Sequence, residues 1–311
     1  MNDAIGLTVH FWGVRGSIPT PGRQTEKYGG NTACVEVRRR DKQGGETIIV
    51  LDAGSGIREM GLAWEAENAN QDVNAFLLFS HFHWDHIQGF PFFGAAYRKG
   101  NKLSIYGQNQ EGASLKELLG GQMQGAYFPI PLAAMQATLD FFPVPERFTL
   151  GPIDVRSFRL PHPGGCFGFR FEVDGNVLVY ASDCELDQAA LNSQEALQDL
   201  TVPRQFPPDL LGFFDGATLV IIDCQYPDDE YPQRIGWGHN SISAVIDLLR
   251  QVHVDMVALF HHDPQSTDDV VSAMTAAVLT GLQHYAHHPV VFAAREGLAL
   301  RVAPPKRPPK V

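Results

Sequence analysis

The hydrophobic pattern predicts mostly strands at the start of the chain. Residues 7–12, 33–38 and 47–51 read as strands, and Gly44-Gly45 within 41–46 suits a hairpin-like turn between the last two. The period then changes. Ile57, Met60, Gly61 and Trp64 recur at helical spacing, so 57–67 is expected to be a surface helix with one buried face. Ala75-Phe76-Leu77-Leu78-Phe79 follows Asn70, Gln71 and Asp72 as an unbroken apolar run and predicts a buried strand. Regular alternation lapses over 107–150. A short helix is expected at 114–119, followed by two apolar, turn-rich pieces that include Tyr127, Phe128 and 141–145. This stretch reads either as a cap-like insertion or as an extra packed layer. Strands resume at 153–160, 167–173 and 177–181. A helix is expected over 186–200, a proline-containing connection over 201–215 and a buried strand over 219–222. Next come a helix over 242–251 capped by Ser241, a strand over 254–260 and a long helix over 267–286. Strands at 290–292 and 298–302 close the sheet. No linker divides the chain, so 1–303 is expected to be a single domain. The proline-rich tail, 304–311, is expected to be disordered.

Composition narrows the function classes. Hydrophobic residues at 44% of 311 leave ample material for a core. A net charge of -11 argues against a broad surface for long nucleic acid. It does not exclude a small phosphate ester, because bound metal ions supply local positive charge. No apolar run approaches membrane-spanning length, and the first eight residues lack the basic-then-apolar pattern of a signal peptide. Cys34, Cys166, Cys184 and Cys224 form no CxxC pair, so a reduced, cytoplasmic setting is expected.

The candidate chemistry sits directly after the buried strand, in Ser80-His81-Phe82-His83-Trp84-Asp85-His86. Alternation puts His81 and His83 on one side. Asp85 and His86 follow once the chain turns and can face a second point. Imidazole with carboxylate suits zinc, manganese or iron. Further on, Gly13 to Gly22 is dense in glycine and proline and lets backbone approach a neighbour closely. His162, Asp183, Asp223 and the pair His261-His262 each follow or end a predicted strand, and His239 precedes a helix.

The spacing of His81, His83, Asp85 and His86 resembles the signature of metallo-β-lactamase-fold hydrolases. That resemblance implies an α/β fold, a four-layer αββα sandwich with a two-metal site at one edge. It implies His81, His83 and His162 around one divalent ion, Asp85, His86 and His261 around the other, and Asp183 shared by both. Zinc is the expected metal, with manganese as an alternative. His262 is the rival of His261. Asp52 resembles a residue that braces the metal loop, a turn or capping aspartate being the alternative. Cys166 and Cys184 are expected to pack as small residues.

The loop at Gly13 to Pro21, with Asp223 and Gly238-His239-Asn240-Ser241, resembles the phosphodiesterase branch that includes ribonuclease Z and cyclic phosphodiesterases. On that resemblance the catalytic residues are Asp85, His239 and Asp223: His239 protonates a leaving oxygen, or bonds a phosphate oxygen, and Asp223 orients it. Asn31 is the candidate substrate contact. The tRNA-gripping arm of ribonuclease Z is missing here between His162 and Asp183, and Asp223 stands where those enzymes often carry glutamate. Both departures, with the acidic charge, favour a small or cyclic phosphodiester substrate. The other readings are a lactone, thioester or β-lactam hydrolase, an RNA-processing nuclease, and a non-catalytic binding or sensor protein. A homodimer is left open.

Overall fold

The structure, a computed structural model, describes residues 6–68, 71–110, 112–199, 201–285 and 289–303. Its strands are β1 (Gly6–Gly13), β2 (Cys34–Arg40), β3 (Glu46–Leu51), β4 (Asn74–Leu78), β5 (Lys102–Gly107), β6 (Thr138–Pro143), β7 (Arg147–Leu150), β8 (Ile153–Leu160), β9 (Cys166–Val173), β10 (Asn176–Ala181), β11 (Leu219–Asp223), β12 (Met256–Phe260), β13 (Val290–Ala293) and β14 (Ala299–Arg301). They form two seven-stranded sheets, ordered β14-β1-β2-β3-β4-β5-β6 and β13-β12-β11-β10-β9-β8-β7. The first is antiparallel from β14 to β3 and parallel from β3 to β6. The second is antiparallel from β7 to β10 and parallel from β10 to β13.

The sheets face each other across a core that takes Val9, Phe11 and Ile49 from the first and Phe169, Tyr180 and Phe260 from the second. The helix Ile57–Glu67 covers the outer face of the first sheet through Ile57, Met60 and Trp64. Helices Pro208–Phe214, Ile242–Leu249 and Asp268–Leu282 cover the second through Phe213, Leu248 and Val278. Helix, sheet, sheet, helix is the αββα order expected. Strands β11 and β12 are covered on both faces, which is why they read as unbroken apolar runs, whereas β1 alternates between buried and half-buried positions.

Local signals held where one element decided them. The helix Ile57–Glu67 has the expected bounds, and Ser241 and Thr267 cap their helices through side-chain oxygens. Four expectations need correction. Residues 186–200 do not form one helix: Leu186–Ala189 and Ser193–Gln198 are separated at Ala190, whose backbone is extended. The connection at 201–215 contains the helix Pro208–Phe214, begun by a proline whose missing N–H is harmless in a first turn. The stretch 107–150 is only partly cap-like. It holds the helix Leu115–Gly121, fixed by a capping box of Ser114 and Glu117, but then supplies β6 and β7, an edge strand for each sheet. Finally, β13 and β14 close different sheets. The tail 304–311, with His287 and His288, lies outside the described residues. Among the described residues no helix is long and apolar enough to cross a membrane.

Candidate metal and catalytic centre

The candidate residues gather because they end strands. Asp52 follows β3, the stretch from His81 to His86 follows β4, and His162 follows β8. Asp183 follows β10, Asp223 ends β11 and His261 follows β12. Past β4 the chain bends at Ser80, is extended at His83 and then turns into the short helix Trp84–Ile87, which carries Asp85 and His86. That turn gives the motif two directions.

Asp183 lies between the two sets. Its Oδ2 is 3.7 Å from both His81 Nε2 and His162 Nε2, and His162 Nε2 is 3.0 Å from His83 Nδ1. Its Oδ1 is 3.1 Å from His86 Nε2 and 3.4 Å from His261 Nε2. Asp85 Oδ2 closes the second set, 3.0 Å from His261 Nε2 and 3.3 Å from His86 Nε2. The seven residues expected to hold metal are therefore brought together; the clusters that could hold an ion include His81-His83-His162 and Asp85-His86-His261, and others that draw in Asp183, Asp223 and His239.

The other ring nitrogens say which atoms are electron-rich. His86 Nδ1 lies 2.8 Å from Asp52 Oδ2, and His162 Nδ1 lies 2.9 Å from the Gly238 carbonyl. Carboxylate and carbonyl oxygens only accept, so both Nδ1 atoms carry the proton. Ser80 Oγ donates to Asp52 and so accepts from His81 Nδ1 at 3.0 Å. The neutral imidazoles of His81 and His162 therefore aim Nε2 lone pairs at Asp183. His81 Nε2 and Asp183 Oδ1 are buried without a hydrogen-bond partner. Buried acceptors facing acceptors are stable only with cations between them. This donor set fits divalent metal ions, with outer partners that orient each ring.

Charge points the same way. Burial, then the neighbouring His86, pushes His81 well below the usual imidazole range, and burial takes His162 down to about 4. Around His86, burial is outweighed by Asp183, Asp85 and Asp52, which hold the imidazole well above its usual range. Asp85 and Asp183, despite burial, are held well below the carboxylate range by the histidines. The pull on His86 shows how strongly this pocket calls for positive charge.

His239 stands at the junction of the two groups. Its ring stacks on His261 at 4.9 Å and meets His162 edge-on at 5.3 Å. Nδ1 lies 2.5 Å from Asp223 Oδ2. Burial would lower its pKa, but Asp223 outweighs burial and raises it to about 9. Burial raises the pKa of Asp223. The loop before His239 is fixed by a residue that sequence reasoning missed. Glu185 is buried and accepts from Tyr231 Oη and from the Gly236 and Gly238 N–H groups. A side chain at Gly238, where φ is 92°, would lie 2.2 Å from His162 Nδ1. Asn240 and Gln225 were missed too: Asn240 ties Asp223 to Leu186, and Gln225 lies against His261. No local pattern marks Glu185 or Gln225, and Asn240, although inside the Gly238 to Ser241 motif, was given no role.

The glycine-rich loop approaches as expected. A Cβ on Gly16 would lie 2.5 Å from His261, and the Ser17 N–H donates to Asp85 Oδ2 at 2.7 Å. Asp52 is a brace, since Ser80, His86 and Tyr180 converge on it. His261 faces the site, while His262 turns away and donates to the Ala294 carbonyl at 2.9 Å. Cys166 and Cys184 pack in the core. Asn31 is held in place by its neighbours: its side-chain amide donates to Glu296 Oε2 at 3.0 Å and its Oδ1 accepts from Ser55 Oγ at 2.9 Å, and it lines a cavity of about 300 Å³ with Glu296.

Residues 47–262 match a family model described as the beta-lactamase superfamily domain. No curated protein matches the chain. Among solved structures, the metallo-beta-lactamase fold protein YhfI from Bacillus subtilis superposes with a TM-score of 0.63 at 17% identity, over 94% of this chain and 98% of that one. A diphosphatase of the PhnP family gives 0.60 at 12% identity, over 95% and 97%. The short form of human tRNase Z gives 0.58 at 14% identity, over 95% and 99%. At such identities the superpositions speak for the fold alone. With the family model spanning both sets of histidines and carboxylates up to His262, the chain belongs to the beta-lactamase superfamily and carries its metallo-β-lactamase fold.

Proposed function

We propose that the protein is a phosphodiesterase that uses two divalent ions and hydrolyses a small or cyclic phosphodiester. The observation that carries this reading is the His239–Asp223 pair, set beside a carboxylate whose two oxygens face separate histidine groups. His81, His83 and His162 would hold one ion and Asp85, His86 and His261 the other, with Asp183 spanning both. The nitrogen-rich donor set suits zinc, and manganese is accommodated. Bound ions would supply Lewis-acid polarisation and an activated water. His239 supplies the proton for the leaving oxygen. Asp223 favours the charged imidazolium and fixes its Nδ1, so that Nε2 is the donor. A lactone, thioester or β-lactam hydrolase would not need this pair. Only the short β9–β10 hairpin lies between His162 and Asp183, which leaves no arm for a long RNA and supports a small substrate. The diphosphatase and tRNase Z relatives act, by their names, at phosphorus–oxygen bonds, in keeping with the reading. Four buried, free cysteines suit a reducing cytoplasm.

The test is His239→Ala, with metal content and folding measured first. On a phosphodiester with a poor alkoxide leaving group, turnover is expected to fall roughly 10²–10⁴-fold with metal retained. On a nitrophenyl ester, which departs without a proton, the loss shrinks. An equal loss on both substrates removes the proton-donor role. Turnover of lactones or thioesters without phosphodiesters removes the reaction class.

A further inference from the structure

We propose a second binding site, on the outer face of the second sheet, built by a cross-strand row of arginines and suited to an anion carrying two linked phosphate groups. It does not depend on the function proposed for the metal centre. The strand register pairs Arg147 of β7 with Arg156 of β8, and Arg156 with Arg170 of β9. Residues paired directly across antiparallel strands share a face, so three guanidinium-bearing residues stand in one line. Val155, Phe169 and Phe171, their neighbours along the strands, point into the core between the sheets, which places the row on the outer face. Like charges directly opposite one another destabilise a sheet. In a chain of net charge -11, such a row is not a by-product of a generally basic surface.

Only Arg170 of the three is neutralised. Its Nε lies 2.6 Å from Glu172 Oε1, and its Nη1 donates to the carbonyls of Phe213 and Asp215. Among the described residues Arg147 and Arg156 have neither an ion pair nor a side-chain hydrogen bond. The Nε of Arg156 is buried without a partner, and its guanidinium sits 5.8 Å from the Phe158 ring. The row lines a cavity of about 540 Å³, within the size range of small-ligand sites. Asp154 and Glu172 also line it, but Glu172 is engaged by Arg170 and Asp154 is in ion-pair contact with neither free arginine. Adjacent strands lie about 4.7–4.9 Å apart, so Arg147 and Arg156 can each grip one phosphate of a diphosphate unit through a planar fork. Arg156 precedes His162 by six residues of extended chain, on the order of 20 Å, so the cavity is distinct from the metal centre.

The test is calorimetry with methylenediphosphonate, which cannot be hydrolysed, on the full chain, on Arg147→Gln/Arg156→Gln and on Asp183→Ala. Binding to the double variant is expected to weaken at least tenfold at the outer site, while Asp183→Ala keeps that site. Orthophosphate is expected to bind more weakly than the diphosphonate. Without ligand, the double variant is expected to melt about 1–2 °C higher, because like-charge repulsion is relieved. Unchanged binding in the double variant, loss of all binding in Asp183→Ala, or equal binding of orthophosphate overturns the proposal. A lower melting temperature would show the arginines to be structural and overturn it as well.

Discussion

The two groups of candidate ligands differ in depth at one position, His83, since His81 is 2% exposed. His86, His261 and Asp85 are 0%, 1% and 5% exposed, and each is anchored from behind: His86 by Asp52, His261 by Gln225 and Asp85 by the Ser17 N–H. In the other half His83 is exposed, and its contacts are to the rings of His81 and His162. On the two-ion reading, the buried half binds first and releases last, and the open half is where a substrate meets the site. His83 stands immediately before the turn as the N-cap of the short helix, whereas His86 lies within that helix, against the core.

Asp183→Ala should have the largest effect, because one residue serves both halves. Bound metal, measured by elemental analysis, is expected to fall from close to two ions per chain to well under one, with turnover reduced more than about 100-fold. Full occupancy in this variant would end the bridging assignment. Asp52→Asn addresses the buried half alone. The native φ of 59° is one that asparagine tolerates, so the exchange weakens the brace on His86 without forcing the backbone. Metal affinity of the buried half is expected to drop roughly 10–100-fold, while His83→Ala should affect only the open half. Graded chelation reads both, and loss of ions in the same order from both variants would erase the distinction.

An effect on folding stability, separate from metal binding, lies behind the buried half, at His262. Burial pushes its pKa down to about 4, below the 6.5 of an unfolded chain, so it folds neutral. A depressed imidazole pKa contributes stability that is fully present above about 6.5 and is lost as pH falls towards 4, by about 3 kcal/mol in all. Denaturant unfolding from pH 8 to pH 4.5 should show a steeper loss for the parent than for His262→Leu. Equal slopes would show that His262 does not contribute to acid sensitivity.

Much of this was legible in the residues. Three histidines and an aspartate at the end of an apolar strand announce a metal loop, and the spacing of Ile57, Met60 and Trp64 announces a helix. The misses have physical causes. Strands β6 and β7 are edge strands next to Pro143 and Pro145, half-covered, and so lack the apolar run of β11 or β12. The hydrogen bond that holds Asn31 was invisible because its partner, Glu296, lies 265 residues away. Glu185 looks like any surface glutamate until the Gly236 and Gly238 N–H groups close on it.

What the sequence determined by itself is local: period, caps, and the His81 to His86 spacing that lets one strand end deliver ligands in two directions. These depend on backbone geometry over a few residues. Only the tertiary structure decided that each oxygen of Asp183 meets a different histidine set and that Asp223 reaches His239. It alone turned His261 inward and His262 outward, and set Arg147, Arg156 and Arg170 in one row. Such pairings are fixed by sheet register and by the packing of strand ends. A shift of one residue would turn each side chain to the other face, and nothing within any single segment specifies that register.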